Sequence, residues 1–234
     1  MFASNRYLIP FIFMGAACAA DPGTRPHDMS AAQHQAAAEQ EETAAAGHDA
    51  QYDPAATKAE TQCKGRVCWT SRANPTDKHS ADAQKHRELA AKHRAAGEVL
   101  KQAEAQACAG IDEEDRDVSP FYHREDIASV SPAEEQIKGG KGTTTRTSGA
   151  RIVFRAVPGL TAEWLQREVD CHIARAAAMG HSMPDMEYCP LALKGVKAAV
   201  SSAGNGFAVE VTSADAQTVD EILKRARALQ GPAS

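Results

Sequence analysis

Six residues with metal-binding side chains lie within nineteen positions in the last third of this 234-residue sequence. They are two cysteines, two histidines and two methionines: Cys171, His172, His181, Met183, Met186 and Cys189. Cu(I) prefers thioether, thiolate and imidazole ligands, and a helix end followed by a proline-containing loop can bring several of them together. The predicted copper ligands are His172, His181, Met183 and Met186.

The same residues have a structural interpretation. In an exported chain a disulfide between Cys171 and Cys189 would close the intervening loop and stabilise the fold by about 3 kcal/mol. It would remove both thiolates as ligands but hold the remaining candidates near His172. At 100° per residue His172 falls on the buried face of its helix, so a core histidine is the alternative to a ligand. Both methionines could likewise fill gaps under the loop.

The methionine and histidine ligands resemble, in ligand type, the sites of periplasmic copper carriers, over about a tenth of the chain. The resemblance implies stoichiometric Cu(I) binding that depends on both methionines. The sequence has no nucleophile elbow, no phosphate-binding glycine loop and no HExxH pair, so we do not expect an enzyme. The main expectation is a structural or interaction protein of the cell envelope, and a copper carrier is the alternative.

The first twenty residues have the composition of an export signal. Arg6 precedes the apolar residues 7–14, which are too few to span a bilayer, and small residues follow. The chain is therefore expected in an oxidising compartment, the periplasm or cell envelope. The sequence Gly-Ala-Ala-Cys at residues 15–18 resembles the lipobox of bacterial lipoproteins, with glycine where that family carries leucine. The resemblance implies lipidation of Cys18, and cleavage after an A-x-A pattern that releases a soluble product is the alternative.

Charge and hydropathy limit the partners. The net charge is −5 and no dense cluster of Lys and Arg occurs, which argues against nucleic-acid binding. Any membrane attachment is expected to come only through a lipid on Cys18. Residues 20–62, rich in Ala, Gln, Glu and His, are predicted to form a disordered linker after a signal peptide at residues 1–19.

Residues 63–130 are predicted to form a helical region that begins with a cysteine loop. Cys63 and Cys68 have four residues between them and favour a local disulfide, with free thiols or half of a zinc site as alternatives. Within the long helix predicted at residues 80–108, three histidines recur near its start at intervals of seven residues: His79, His86 and His93.

Neighbouring histidines in this row lie two helical turns apart, about 10 Å, so a shared metal ion would require a second helix or chain. The row predicts either a partly solvated packing stripe or a pH-sensitive seam for self-association. The envelope partner itself is unknown from the sequence. Cys108, at the end of the helix, is expected to be the unpaired thiol.

A flexible connector is predicted at residues 131–149 and a small α+β domain at residues 150–230. The order in the domain is β-α-β-β-α, with a helix that begins at Thr161 and ends near Gly180. It resembles a shortened ferredoxin-like sandwich with both helices on one face of a three-stranded sheet. The final helix has a predicted buried stripe of five residues: Val219, Ile222, Leu223, Ala226 and Leu229.

Overall fold

The structure is a computed structural model that describes residues 21–140 and 142–230. The expected signal peptide and Cys18 lie outside these residues. The described part is mixed α and β, with these helices and strands: α1 Ala31–Asp49, β1 Lys58–Lys64, β2 Val67–Ala73, α2 Asp77–Ala107, β3 Ile127–Gly139, β4 Gly142–Phe154, α3 Ala162–Ala178, β5 Val196–Ala203, β6 Gly206–Ser213 and α4 Ala216–Ala228. None of the described helices combines the length and hydrophobicity needed to cross a membrane.

The helices α1 and α2 form an antiparallel helical hairpin. Ser30 caps α1, since its hydroxyl accepts a hydrogen bond from the Gln33 N–H while the Gln33 side chain accepts one from the Ser30 N–H. The two helices pack closely because small residues line the contact: Ala38, Ala45, Ala83, Ala90, Ala96 and Gly97. The predicted disordered linker is therefore wrong where it covers α1. The Ala, Gln and Glu residues of this segment favour a helix. Alanines form the buried face of α1 in place of large apolar residues, and α2 packs against that face.

A short β-hairpin, β1 and β2, connects the two helices. Cys63 and Cys68 face each other across it and form a disulfide, which confirms the predicted local pairing. Gly65 in the two-residue turn has a φ of 64°, a conformation that favours glycine. All residues of β1 are exposed, and so are Val67 and Trp69 of β2.

The second sheet has the strand order β3-β4-β6-β5, and all neighbouring strands are antiparallel. The predicted domain is present in its predicted order as β4, α3, β5, β6 and α4. Strand β3 was not predicted from the sequence and adds a fourth strand to the sheet. Residues predicted as a flexible connector form instead the long β3–β4 hairpin, because the glycine-rich segment is its tip and the threonines beside it are strand formers.

The sheet and the helices α3 and α4 enclose the main apolar core. The face of β4 with Ala150, Ile152 and Phe154 is paired with Val211, Val209 and Phe207 of β6. Thr161 caps α3 and Gly180, with a φ of 71°, follows its end, as predicted. Four of the five residues of the predicted α4 stripe are buried, and the fifth, Leu223, packs against the core partly buried.

A second disulfide, between Cys108 and Cys171, connects α2 with α3. The predicted pairing of Cys171 with Cys189 and the predicted free thiol at Cys108 are both wrong, and Cys189 is the free cysteine of the described residues. Adjacent side chains on a helix point about 100° apart. Cys171 therefore lies against α2, while His172 lies in the core beside Cys189. Two disulfides are typical of proteins exported to an oxidising compartment.

Candidate functional site

A buried thiol and a buried imidazole meet in the core of the α/β domain. The Sγ atom of Cys189 lies 3.3 Å from Nε2 of His172. Cys189 is completely buried and His172 is 1% exposed. This contact confirms the expectation that His172 points into the core and has a partner for one ring nitrogen. It also identifies Cys189 as a candidate ligand, which the predicted disulfide would have excluded.

The loop after α3 positions the sulfur atoms by consecutive turns. The N–H of Met186 donates to the carbonyl of Met183 at 3.3 Å, and the N–H of Cys189 donates to the carbonyl of Met186 at 2.9 Å. These turns bring every third side chain inward, so Met183, Met186 and Cys189 are all buried in the same apolar cluster. The three-residue spacing of these sulfur-containing residues was the sequence signal for Cys189.

The Cys189 thiol has two hydrogen-bond partners, whereas one ring nitrogen of His172 has none among the described residues. The hydroxyl of Ser119 donates to Sγ of Cys189 at 3.3 Å, and the N–H of Phe121 donates to that hydroxyl oxygen. With the thiol proton directed to Nε2, the His172 ring carries its own proton on Nδ1. Among the described residues Nδ1 has no hydrogen-bond partner, although it is buried. A buried polar atom in this state is uncommon and marks the site.

Burial keeps both groups neutral. It lowers the pKa of His172 to about 4, and the nearby Arg175 cation adds to this effect. Burial also raises the pKa of the Cys189 thiol, with the Ser119 hydrogen bond acting against the increase. A cysteine nucleophile requires the opposite arrangement, an accessible thiolate beside an imidazolium. The pair is suited to exchange its thiol proton for a soft metal ion rather than to attack a substrate.

A pocket of about 480 Å³ lies next to the pair. Its lining includes three methionines and Ser119, whose hydroxyl contacts the Cys189 sulfur. The methionines are Met179, Met183 and Met186. A soft ion entering here would meet thioether sulfur before it reached the thiol.

Not all predicted ligands belong to this group. His181 is half-buried, and its Nδ1–H donates to the carbonyl of Ala192 at 3.2 Å. No contact in the described structure joins it to His172 or Cys189. In the same residues, no three His, Cys, Asp or Glu side chains already stand in an arrangement that could hold a metal ion. The methionines Met183 and Met186 are the remaining predicted ligands in the same apolar cluster as Cys189.

A second group of histidines lies between α1 and α2, and we call these five residues the histidine seam: His34, His48, His79, His86 and His93. The Nδ1 atoms of His34 and His93 are 3.1 Å apart, and those of His48 and His79 are 3.2 Å apart. The second helix that the predicted row requires is thus α1 of the same chain.

Compared with family models, curated proteins and solved structures, this chain matches none.

Proposed function

We propose that this chain is a non-catalytic exported protein of the cell envelope that binds one Cu(I) ion in its α/β domain. The proposed ligands are Cys189, His172, Met183 and Met186. The observation that carries the proposal is the buried contact of 3.3 Å between the Cys189 thiol and His172 Nε2, next to two buried methionines.

Charge balance favours a monovalent ion. Both groups are neutral in the buried site, and binding of Cu(I) to sulfur releases the thiol proton. One positive charge then replaces another, so the net charge of the buried site does not change. A divalent ion bound to the same thiolate would leave one uncompensated charge in the apolar core, which is costly. Thiolate, thioether and imidazole are also the ligands that Cu(I) prefers.

The location and fold proposals rest on separate observations. The composition of residues 1–20 supports export, and the Gly-Ala-Ala-Cys sequence supports a lipid on Cys18 that would attach the chain to a membrane. The two disulfides agree with a periplasmic or envelope location. The antiparallel order β4-β6-β5, with α3 connecting β4 to β5, supports the resemblance to a ferredoxin-like sandwich.

Anaerobic titration with Cu(I), against a chromogenic Cu(I) chelator, tests the copper proposal on the complete exported chain. We expect one equivalent for the unmodified protein and loss of that equivalent in Cys189→Ser. The Met183→Leu, Met186→Leu double change should weaken binding at least tenfold. His181→Gln is the matched control, since this neighbouring histidine contacts a backbone carbonyl, and its affinity should not change.

Two results would contradict the proposal. Absence of stoichiometric binding by the unmodified chain would remove copper as the cargo. Binding by Cys189→Ser as tight as in the unmodified chain would place the ion elsewhere. Far-ultraviolet circular dichroism and thermal unfolding of each variant separate the loss of a ligand from the loss of the fold.

The β1–β2 hairpin favours a second candidate function, interaction with another protein of the envelope. Val67 and Trp69 are two residues apart on β2, and they are 66% and 46% exposed. We expect a photo-crosslinking amino acid at position 69 to give one discrete product in an exporting host. The same probe at Val99, an equally exposed apolar position on α2, should give none. Failure of position 69 to give any product would exclude this role.

A further inference from the structure

The outer end of the histidine seam brings two imidazoles to the separation expected of two ligands of one metal ion. His48 of α1 and His79 of α2 have their Nδ1 atoms 3.2 Å apart. Two nitrogen atoms bound at 2.0–2.1 Å to a tetrahedral ion lie about 3.3 to 3.4 Å apart. The separation of the two nitrogens therefore suits a bridging metal ion, once each ring turns its lone pair toward the ion.

In the hydrogen bond between the two rings, one of the two Nδ1 atoms is the acceptor and carries a lone pair. In an N–H···N contact one of the two nitrogens must be unprotonated, so at least one ring already presents a metal-binding lone pair to the other. Both side chains are partly exposed, which allows an ion to enter and to retain water ligands. An ion bound here would replace the shared proton and connect α1 to α2.

Asp82 lies one helical turn after His79, on the same side of α2. Its carboxylate pairs with Lys85, whose Nζ is 3.2 Å from Oδ1. Among the described residues no three His, Cys, Asp or Glu side chains are placed to hold one metal ion, so Asp82 is not a ligand of the pair. Its negative charge, one helical turn from His79, favours a cation bound there.

Other members of the seam are already engaged. His86 stacks on His48, with ring centroids 5.3 Å apart, but its Nδ1 is 2.6 Å from a carboxylate oxygen of Glu41. The inner pair, His34 and His93, is buried, and Nε2–H of His34 donates to the carbonyl of Arg25 at 3.1 Å. The inner pair has no exposure that would admit water ligands. The outer pair is the one that can take an ion with water in its coordination sphere.

We infer that the outer end of the helical hairpin binds one divalent transition-metal ion of the class that prefers imidazole, such as Zn²⁺, through His48 and His79, with water as the remaining ligands. Imidazole is a suitable ligand for Zn²⁺, and a partly exposed polar site tolerates a divalent charge. This site differs from the proposed Cu(I) site in its ligands, its ion and its position. It does not depend on that proposal.

Titration of the complete chain with Zn²⁺ alone, followed by calorimetry, tests the inference. We expect one equivalent for the unmodified chain, and at least a tenfold loss of affinity in His48→Gln and in His79→Gln. Asp82→Asn should weaken binding less than either histidine change, because Asp82 contributes negative charge near the pair without binding the ion. The control is His123→Gln, because His123 is exposed and lies outside the seam. Cys189→Ser should bind Zn²⁺ as the unmodified chain does.

A measurement without mutations keeps the test valid if a variant fails to fold. In imidazole nitrogen NMR spectra of the unmodified chain, Zn²⁺ should shift the signals of His48 and His79 most. Equal Zn²⁺ affinity in His79→Gln and the unmodified chain would overturn the inference. So would Zn²⁺-induced shifts confined to other histidines, or loss of the equivalent in Cys189→Ser, which would assign Zn²⁺ to the buried thiol.

Discussion

The helical hairpin and the α/β domain use histidine in opposite ways. In the helical hairpin the seam histidines face a ring nitrogen or a carboxylate of the other helix, and those at the outer end are partly exposed. In the α/β domain His172 is buried among apolar side chains, contacts a thiol and has one nitrogen without a partner. The same residue type is therefore surrounded by water and charge in one region and by sulfur and hydrocarbon in the other.

This difference decides which ion each region can take. The outer seam is partly exposed and has the carboxylate of Glu41 in contact with His86, so solvent and charge can compensate a divalent ion. The buried pair is enclosed by apolar side chains, with the Arg175 cation nearby, and it keeps its charge constant only if a monovalent ion replaces the thiol proton. Position in the fold, more than the list of ligands in the sequence, thus separates a zinc-like site from a copper-like one.

The two regions also differ in what holds them together. The helical hairpin packs through alanines and one glycine, with cross-helix ion pairs at its edges. The α/β domain packs through large aliphatic and aromatic side chains around Ile152 and Phe154. The Cys108–Cys171 disulfide joins the regions, and Arg175 of α3 reinforces it by an ion pair with Glu104 of α2.

The largest expected effect comes from cutting this connection. Cys108 and Cys171 are 63 residues apart, and the loop-entropy model gives about 4 kcal/mol for such a disulfide. The double change Cys108→Ser, Cys171→Ser should lower the free energy of unfolding by that amount in non-reducing urea titrations. Cys63→Ser, Cys68→Ser is the control, with about 2 kcal/mol at most, because its loop is short and its hairpin exposed. Equal losses would show that the regions do not depend on their connection.

Acid should weaken the α/β domain through His172. Its pKa is about 4 in the folded chain and 6.5 when unfolded, so between these values only the unfolded chain takes up the proton. The free energy of unfolding should therefore fall by about 3 kcal/mol from pH 7 to pH 4. His172→Leu should lack this component, while the seam histidines contribute equally to both proteins. Parallel pH profiles for the two metal-free proteins, measured by urea unfolding, would refute the prediction.

Leucine substitutions of two buried histidines should have different effects at pH 7. His93→Leu leaves Nδ1 of buried His34 without its partner, which should cost about 1–3 kcal/mol. His172→Leu removes a nitrogen that already lacks a partner and leaves Cys189 bonded to Ser119, so stability should be unchanged or higher. Thermal unfolding of both variants makes the comparison. A large loss for His172→Leu would mean that Nδ1 has a partner in solution.

The α/β domain could be predicted because its signals are local. Alternating apolar residues, the Thr161 cap and the Gly204-Asn205 turn each specify an element without reference to the rest of the chain. Strand β4 was predicted, but its partner β3 was not, because Glu and Gln predominate in the exposed part of β3. The glycine at 149 was part of the predicted connector, yet a Cβ there would lie 1.9 Å from the carbonyl oxygen of Val211.

The helical hairpin and the Cys108–Cys171 pairing could not be predicted because their signals are distant in sequence. The alanine face of α1 becomes a packing surface only when α2 lies against it, and without α2 the composition of the segment resembles a linker. Cys171 lies between Cys108 and Cys189 in the sequence, so either could be its disulfide partner. Only the packing of α3 against α2 selects Cys108. The predicted ligands His172, Met183 and Met186 are buried around the proposed site, whereas Cys189 was assigned to a disulfide and Ser119 was not considered.

The smallest expected effect concerns the exposed edge of the helical hairpin. Arg94 and Glu42 form an ion pair between the helices, and both side chains are about half-exposed. Because water and salt screen such a pair, Glu42→Gln should change the free energy of unfolding by about 0–1 kcal/mol, and 1 M NaCl should remove the difference. His93→Leu, measured in the same urea titrations, is the comparison at a buried seam position. If Glu42→Gln costs as much as His93→Leu, the exposed charged edge contributes as much to the stability of the hairpin as the buried hydrogen bond between His34 and His93.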